Sequence, residues 1–202
     1  GNGTMKECFE WIGSWCDHTE KEDLPRVLLI GDSITRSYQE SVRTLLSGIC
    51  YVDYIATSYA IDTSFYYQLI RGFSRDSRYD LIHFNHGLHG IYMTREVYEE
   101  RLRELLCDLR TTGAGLVLAT TTVAYESGNC ALSAAWMPRI RERNDAVYTV
   151  ASELSLPIDD LFRVSLDIPA ADRSQDGIHY MEGGVRRLAG AVAESIKNNL
   201  KK

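Results

Sequence analysis

The stretch of sequence that decides the fold is Leu28-Leu29-Ile30-Gly31-Asp32-Ser33-Ile34-Thr35. It belongs to a short apolar run, residues 26–30, of the kind that forms a central parallel strand buried on both faces. Gly31 permits a sharp exit turn, and residues 35–47 have the apolar spacing of a helix. Ser33 is therefore predicted between the end of a strand and the start of a helix, where open α/β sheets bind ligands. From this stretch alone, Asp32 or Ser33 could equally be only a helix cap.

The rest of the chain alternates strand patterns with helix patterns. This alternation predicts a doubly wound α/β fold with a five-stranded parallel sheet and right-handed crossovers, in one domain over residues 25–202. Residues 1–24 are predicted to be a helical arm packed on that domain, because Cys8, Trp11, Ile12 and Trp15 have helical spacing within residues 5–17. The predicted strands are residues 26–30, 51–56, 80–85, 115–121 and 157–162, and the predicted helices are residues 35–47, 65–73, 94–113, 138–154 and 185–196.

Composition and charge exclude several classes of partner. The 202 residues are 45% hydrophobic and 25% charged, as in a globular protein, and the net charge of -6 argues against nucleic acid as a partner. No apolar stretch approaches the roughly 20 residues that cross a bilayer. The odd number of cysteines and the absence of a Cys-x-x-Cys pair predict reduced thiols in a cytoplasmic protein. Secretion with a signal peptide that has been removed is the alternative. The five cysteines are Cys8, Cys16, Cys50, Cys107 and Cys130.

A second polar motif, Asp176-Gly177-Ile178-His179, lies near the C-terminus. An Asp and a His three residues apart can hydrogen-bond within one turn, which fixes the tautomer of a general base and stabilises its charged form. Taken alone, Asp176 could be a helix cap and His179 an ordinary histidine. If this loop returns to the same edge of the sheet as Ser33, the three residues provide the nucleophile, base and orienting carboxylate that acyl transfer requires.

These two motifs resemble those of the GDSL, or SGNH, esterases and lipases. Gly31-Asp32-Ser33-Ile34-Thr35 matches the family's first block, and the Asp176–His179 motif, followed by Gly183-Gly184, matches its last block. The resemblance implies a flavodoxin-like three-layer α/β/α sandwich and hydrolysis of small esters without a metal or an organic cofactor. It makes Ser33, His179 and Asp176 the catalytic triad.

The middle blocks of this family match less well, and they concern the oxyanion hole. Family members have a Gly after the second strand of the fold, where counting along this chain places Ser58, whose backbone N–H could still donate. The third block, Gly-x-Asn-Asp, falls on Gly87-Leu88-His89-Gly90, so that His89 replaces the Asn as side-chain donor. The predicted oxyanion donors are thus Ser33, Ser58 and His89, with Asn85 as the rival to His89.

Other side chains have competing interpretations. His83, His86 and His89 are three residues apart and could indicate zinc, but spacing by three along a strand sends side chains to opposite faces. Four aromatic residues are candidates for the walls of a substrate pocket, although aromatic residues more often serve only in packing: Tyr38, Tyr59, Tyr125 and Trp136.

The sequence therefore predicts a serine esterase that acts on acetyl or other short-acyl esters of carbohydrates, with a small-molecule substrate and no nucleic-acid or membrane partner. A thioesterase or lysophospholipase of the same fold is an alternative. A non-catalytic binding module with a degenerate oxyanion hole is a second alternative.

Overall fold

The computed structural model describes residues 6–128 and 131–200 of the chain. Twelve helices and strands and one short 3-10 helix, Ala170–Asp172, are formed by these residues. The strands are β1 Ile12–Trp15, β2 Arg26–Gly31, β3 Tyr51–Thr57, β4 Leu81–Asn85, β5 Gly115–Ala119 and β6 Ile158–Asp159. The helices are α1 Ser33–Leu45, α2 Ser64–Asp76, α3 Arg95–Arg110, α4 Met137–Leu154, α5 Leu161–Leu166 and α6 Glu182–Asn199.

The six strands form one sheet in the order β1-β3-β2-β4-β5-β6. Strands β2 to β6 are parallel, as predicted, and β1 adds an antiparallel edge strand beside β3. Every residue of β2, β3 and β4 is buried, which explains their mostly apolar sequences. The predicted α/β fold is therefore confirmed, with one strand more than expected.

Helices cover both faces of this sheet and make a three-layer structure. One face packs mainly against α1, α5 and α6, through residues such as Val42, Leu161 and Val192. The other face packs mainly against α2, α3 and α4, through residues such as Ile70, Leu105 and Val150. Because parallel strands point the same way, the loops that follow β2, β4 and β5 lie at one edge of the sheet, which holds the candidate site.

The prediction of a helical N-terminal arm is wrong for the part of the arm that the structure describes. Met5, where the helix was predicted to begin, lies outside the described residues, and Ile12–Trp15 is the edge strand β1. Its register with β3 runs from Ile12 opposite Thr57 to Trp15 opposite Tyr54. Pairing with a partner strand about 40 residues away overrides the local apolar spacing, which is compatible with either element.

The last predicted strand, residues 157–162, is also shorter than expected. It is reduced to β6, and α5 begins at Leu161. The side chain of Asp160 caps this helix by accepting the Arg163 N–H at 3.2 Å, and Thr120 Oγ1 accepts the Phe162 N–H at 2.9 Å. These caps start a helix directly after the two strand residues.

Within residues 6–128 and 131–200, no helix is long and apolar enough to cross a membrane. The described cysteines, Cys8, Cys16, Cys50 and Cys107, are free thiols. Cys130 lies outside the described residues.

Candidate active site

Ser33 is the first residue of α1, directly after β2 and its one-residue turn. Asp32 precedes it and caps the helix, because its Oδ1 accepts the Ile34 N–H at 3.0 Å. A Cβ atom on Gly31 would lie 1.9 Å from Thr35 Oγ1 and 2.5 Å from the Asn85 carbonyl oxygen. Only glycine fits there, so the Gly-Asp-Ser sequence is what places Ser33 at the edge of the sheet.

The loop before α6 carries Asp176 and His179 as a compact turn. Asp176 Oδ1 accepts the backbone N–H groups of Ile178 and His179, each at 2.8 Å. The Ser174 N–H donates to the His179 carbonyl at 2.9 Å and closes the loop. These bonds hold the imidazole in place relative to its neighbouring carboxylate.

The structure brings Ser33, His179 and Asp176 into one hydrogen-bonded chain. Ser33 Oγ lies 2.8 Å from His179 Nε2, and His179 Nδ1 lies 2.5 Å from Asp176 Oδ2. A carboxylate only accepts hydrogen bonds, so Nδ1 carries the proton and Nε2 is left to accept the Ser33 proton. The side chains of His179 and Asp176 are 42% and 48% exposed, which leaves the arrangement open to solutes.

The pKa of Asp176 is lowered from its ordinary value of 3.8. Partial burial alone would raise this pKa, but hydrogen bonds from the His179 ring and from two backbone N–H groups outweigh the burial. The carboxylate is therefore ionised at neutral pH, as the tautomer of His179 requires.

The loop between β4 and α3 is tied to the residue that precedes Ser33. Asp32 Oδ2, which is buried, accepts N–H groups from Leu88 at 3.3 Å and from Gly87 at 3.5 Å. The same loop carries His89, whose Nδ1 lies 2.7 Å from Glu7 Oε1. Its predicted role as an oxyanion donor would fall to the other ring nitrogen, Nε2.

Ser58 is not directed at Ser33, contrary to the predicted oxyanion role. Its N–H donates to the Trp11 carbonyl at 3.2 Å, which continues the pairing of β1 with β3. Strand β1 and the β2 strand that leads to Ser33 lie on opposite sides of β3. The Ser58 hydroxyl likewise faces the N-terminal segment, because it donates to Glu10 Oε2 at 2.6 Å.

Asn85 and Tyr38 lie in the core rather than in an open site. The Asn85 amide donates to the Tyr38 hydroxyl at 3.0 Å, and the Tyr38 hydroxyl also lies 3.1 Å from Thr35 Oγ1. Tyr38 has no exposed surface, and burial raises the pKa of its phenol. The prediction that Tyr38 lines a substrate pocket is wrong, because this face of α1 packs on the sheet.

The other three aromatic candidates are partly exposed. The Tyr59 ring packs on Phe65 with centroids 4.7 Å apart. The Tyr125 ring lies 3.6 Å from the guanidinium of Arg173, and Trp136 packs against the core cluster beside α6. Their predicted contact with substrate stays a prediction.

The three histidines of the alternative zinc interpretation have separate partners. His83 Nε2 lies 2.8 Å from Asp159 Oδ2 in the core, and His86 Nε2 donates to the Tyr59 carbonyl at 2.9 Å. The part of the chain that the structure describes contains no group of three potential metal ligands.

Two features near the site were not predicted from the sequence. Glu7 contacts His89 from the N-terminal segment, and no local signal links residues 82 positions apart. The second feature is a pair of buried polar residues on α4, Arg143 and Asn144. They interrupt the apolar stripe of that helix, and this interruption is a signal that the sequence does carry.

Several grooves lie on the described surface, and two of them bear on the site. One, of about 750 Å³, lies between α2 and α3, and its lining includes none of the triad. A smaller one, of about 160 Å³, lies beside the β4–α3 loop and is lined by Glu7, Glu10, Ser58, Gly90 and their neighbours. The lining of the smaller groove also includes none of the triad, but it contains Glu7, which contacts His89, and Gly90, which follows His89.

The fold is similar to those of several solved hydrolase structures. A lipase/acylhydrolase from Enterococcus faecalis superposes with a TM-score of 0.71 at 18% identity, over 88% of this chain and 98% of that protein. An acetyl xylan esterase gives a TM-score of 0.69 at 14% identity, over 85% and 99% of the two chains. A GDSL-like lipase from Bacteroides thetaiotaomicron gives 0.65 at 14% identity, over 87% and 89%.

No protein-family model and no curated protein sequence matches the chain. At these low identities, the structural likeness establishes the fold. The chain has the three-layer α/β/α fold of GDSL-type hydrolases, as the motif resemblance implies.

Proposed function

We propose that the protein is a serine esterase that hydrolyses small acyl esters, with Ser33 as nucleophile, His179 as general base and Asp176 as the orienting carboxylate. The observation that carries this proposal is the continuous hydrogen-bonded chain from Ser33 Oγ through the His179 ring to Asp176. A serine hydroxyl is a weak nucleophile unless a base accepts its proton, and this chain supplies such a base.

In the proposed reaction, Ser33 Oγ attacks the ester carbonyl carbon and its proton passes to His179 Nε2. The tetrahedral intermediate collapses as the C–O bond to the alcohol breaks and His179 returns the proton to the leaving oxygen. Water then attacks the acyl-Ser33 ester, with His179 again accepting and returning a proton, and a carboxylic acid leaves. Asp176 stabilises the imidazolium in both steps.

Two groups are the proposed oxyanion donors. The Ser33 N–H lies in the first turn of α1, where N–H groups have no partner within the helix. The second proposed donor is His89, through ring Nε2, because its Nδ1 is engaged by Glu7. We leave Ser58 out of the proposed hole because its N–H is paired with Trp11.

Acetyl or similarly short acyl esters of carbohydrates are the proposed substrates. We propose that the acyl chain enters the groove of about 160 Å³ beside the β4–α3 loop, the loop that carries His89. Glu7 and Glu10 line it with carboxylates, which accept hydrogen bonds from hydroxyl groups and disfavour an anionic substrate. One protein of similar fold is an acetyl xylan esterase, which agrees with this choice.

The deciding experiment treats the purified protein with a fluorophosphonate probe and with p-nitrophenyl acetate, beside Ser33→Ala. We expect covalent labelling and hydrolysis in the native protein and neither in the variant. The matched control is Ser47→Ala, which changes an exposed serine just beyond the end of α1. Absence of labelling together with hydrolysis equal to that of Ser33→Ala would overturn the esterase proposal in favour of a binding module. Comparison of acetyl, octanoyl and thioester substrates separates a short-acyl esterase from a lysophospholipase or thioesterase.

A further inference from the structure

A buried arginine on α4 is hydrogen-bonded to the loop that carries His89. Arg143 is 3% exposed, and its guanidinium donates to three carbonyl groups of the loop backbone. Its Nη1 bonds to the carbonyls of Gly87 at 2.9 Å and His89 at 2.6 Å, and its Nη2 bonds to the Gly90 carbonyl at 2.5 Å. The guanidinium carbon also lies 4.6 Å from the centre of the Tyr98 ring. One side chain thus fixes three of the four carbonyls between Gly87 and Gly90.

On its N–H side, the same loop contacts a negative charge, the carboxylate of Asp32. Asp32 Oδ2 accepts the N–H groups of Gly87 and Leu88, and Asp32 is 2% exposed. The loop therefore lies between a buried cation that binds carbonyl groups and a buried anion that binds N–H groups. In a trans peptide the C=O and N–H point in opposite directions, so the two charges select the same orientation of the backbone.

This arrangement is costly as a means of packing alone. A buried charge without strong hydrogen bonds destabilises the folded state, and an apolar residue on the same stripe of α4 would avoid that cost. The loop compensates Arg143 and Asp32 Oδ2 while it keeps this orientation, and Asp32 Oδ1 additionally accepts the Ile34 N–H. The neighbouring Asn144 has a related role, because its side chain pairs with both the N–H and the carbonyl of Thr121 after β5.

We infer that Arg143 is a positioning residue for the proposed esterase: it holds the Gly87–Gly90 backbone in the orientation that presents His89 to the oxyanion. This inference rests on the proposed function. Arg143 is buried beneath the loop and acts through His89 rather than on the substrate. Its forked guanidinium is required, because an ammonium group at the same position is a single point that cannot span three carbonyls in the same geometry.

The test is a double-mutant cycle with Arg143→Lys, His89→Ala and the combination, each assayed for kcat and KM with p-nitrophenyl acetate. Arg139→Lys is the matched control, since it makes the same change one turn earlier on α4 at a side chain that is 40% exposed. We expect Arg143→Lys to lower kcat about tenfold to hundredfold, less than the roughly hundredfold to thousandfold loss for removal of an oxyanion donor because His89 is misplaced rather than removed, with KM within twofold. In the His89→Ala background the same change should lower kcat less than twofold.

An effect that is equally large in both backgrounds would overturn the inference, because it would show that Arg143 acts on stability or on another group. An unchanged kcat in Arg143→Lys would also overturn it. If Arg143→Lys does not fold, Arg143→Gln enters the same cycle, since it removes the charge and keeps a donor for one carbonyl. Fluorophosphonate labelling of Ser33 in the native protein separates the two proposals: without labelling the esterase proposal fails, whereas with labelling and additive losses only the role of Arg143 fails.

Discussion

The carbonyl oxygen of Tyr125 lies 2.1 Å from the position that a Cβ atom on Gly177 would occupy. Gly177 also has a left-handed φ of +77°, and its carbonyl accepts the Tyr125 N–H at 2.8 Å. The segment after β5 that contains Tyr125 therefore packs directly against the turn between Asp176 and His179. A side chain at residue 177 would push this turn away from Ser33.

We expect Gly177→Ala to lower kcat about a hundredfold, because a displacement of about 1 Å in a catalytic group costs that much. The matched control is Gly48→Ala, where φ is +79° but no atom lies within 4 Å of the new Cβ. The control carries the same backbone strain and should retain its kcat. Steady-state kinetics on p-nitrophenyl acetate measures both variants, and full activity in Gly177→Ala would show that the turn does not depend on this contact.

The side-chain oxyanion donor is tested by comparing His89→Ala with Asn85→Ala. We expect His89→Ala to lower kcat by about a hundredfold to a thousandfold, the usual effect of losing one such donor. Asn85→Ala should instead lower the melting temperature, because it leaves the buried Tyr38 hydroxyl without its amide donor at a cost of about 1–3 kcal/mol. Kinetics and thermal unfolding of both variants separate the two roles. A large loss of kcat confined to Asn85→Ala would transfer the oxyanion role to Asn85.

The parts of the fold and site that follow from local sequence were predictable. The Gly-Asp-Ser turn is fixed by contacts of Gly31 with Thr35 and Asn85 at the end of a buried strand. The Asp176–His179 turn is held by bonds within three residues. Both motifs therefore keep their geometry wherever the chain places them, and resemblance to a known family placed them at one edge of one sheet.

What could not be predicted depends on partners distant in the chain. Strand β1 exists because it pairs with β3, and that pairing turns the Ser58 N–H towards Trp11. Counting along the sequence correctly places Ser58 at the same edge of the sheet as Ser33. It does not show which side of β3 the Ser58 N–H faces. The sequence does contain a signal for Arg143, because a charged residue on the apolar stripe of α4 indicates a buried polar contact. The partner could not be predicted, because the loop that Arg143 binds lies more than 50 residues earlier.

The buried ion pair at the other end of the sheet is expected to contribute to stability. Asp53 has no exposed surface, and its carboxylate accepts bonds from Arg26 at 2.8 Å and from the Tyr79 hydroxyl at 2.7 Å. Asp53→Asn leaves the Arg26 guanidinium without its counter-charge, which costs about 3–5 kcal/mol. For a domain of this size we expect the melting temperature to fall by on the order of 10 °C.

Glu153→Gln is the control for this prediction, because it breaks the exposed pair between Glu153 and Arg103. Solvent screens that pair, so its loss should leave the melting temperature nearly unchanged. Differential scanning calorimetry measures both variants. Equal shifts in the two would show that burial does not govern the strength of the Asp53 pair.

The stability of the protein should fall in mild acid because of His86. Burial of this ring against Tyr66, at the start of the β4–α3 loop, lowers its pKa from 6.5 to about 4. Since the folded state disfavours the charged ring, the unfolded chain binds a proton first, and the free energy of unfolding decreases as pH falls from 6.5 towards 4. A pKa shift of this size corresponds to about 3 kcal/mol of folding stability, which is present in full above pH 6.5.

Urea unfolding followed by tryptophan fluorescence at several pH values should show this decrease in the native protein. His86→Gln can keep the bond to the Tyr59 carbonyl without a titrating ring, so its stability should be nearly flat over the same range. A slope in His86→Gln as steep as that of the native protein would assign the acid sensitivity to another group.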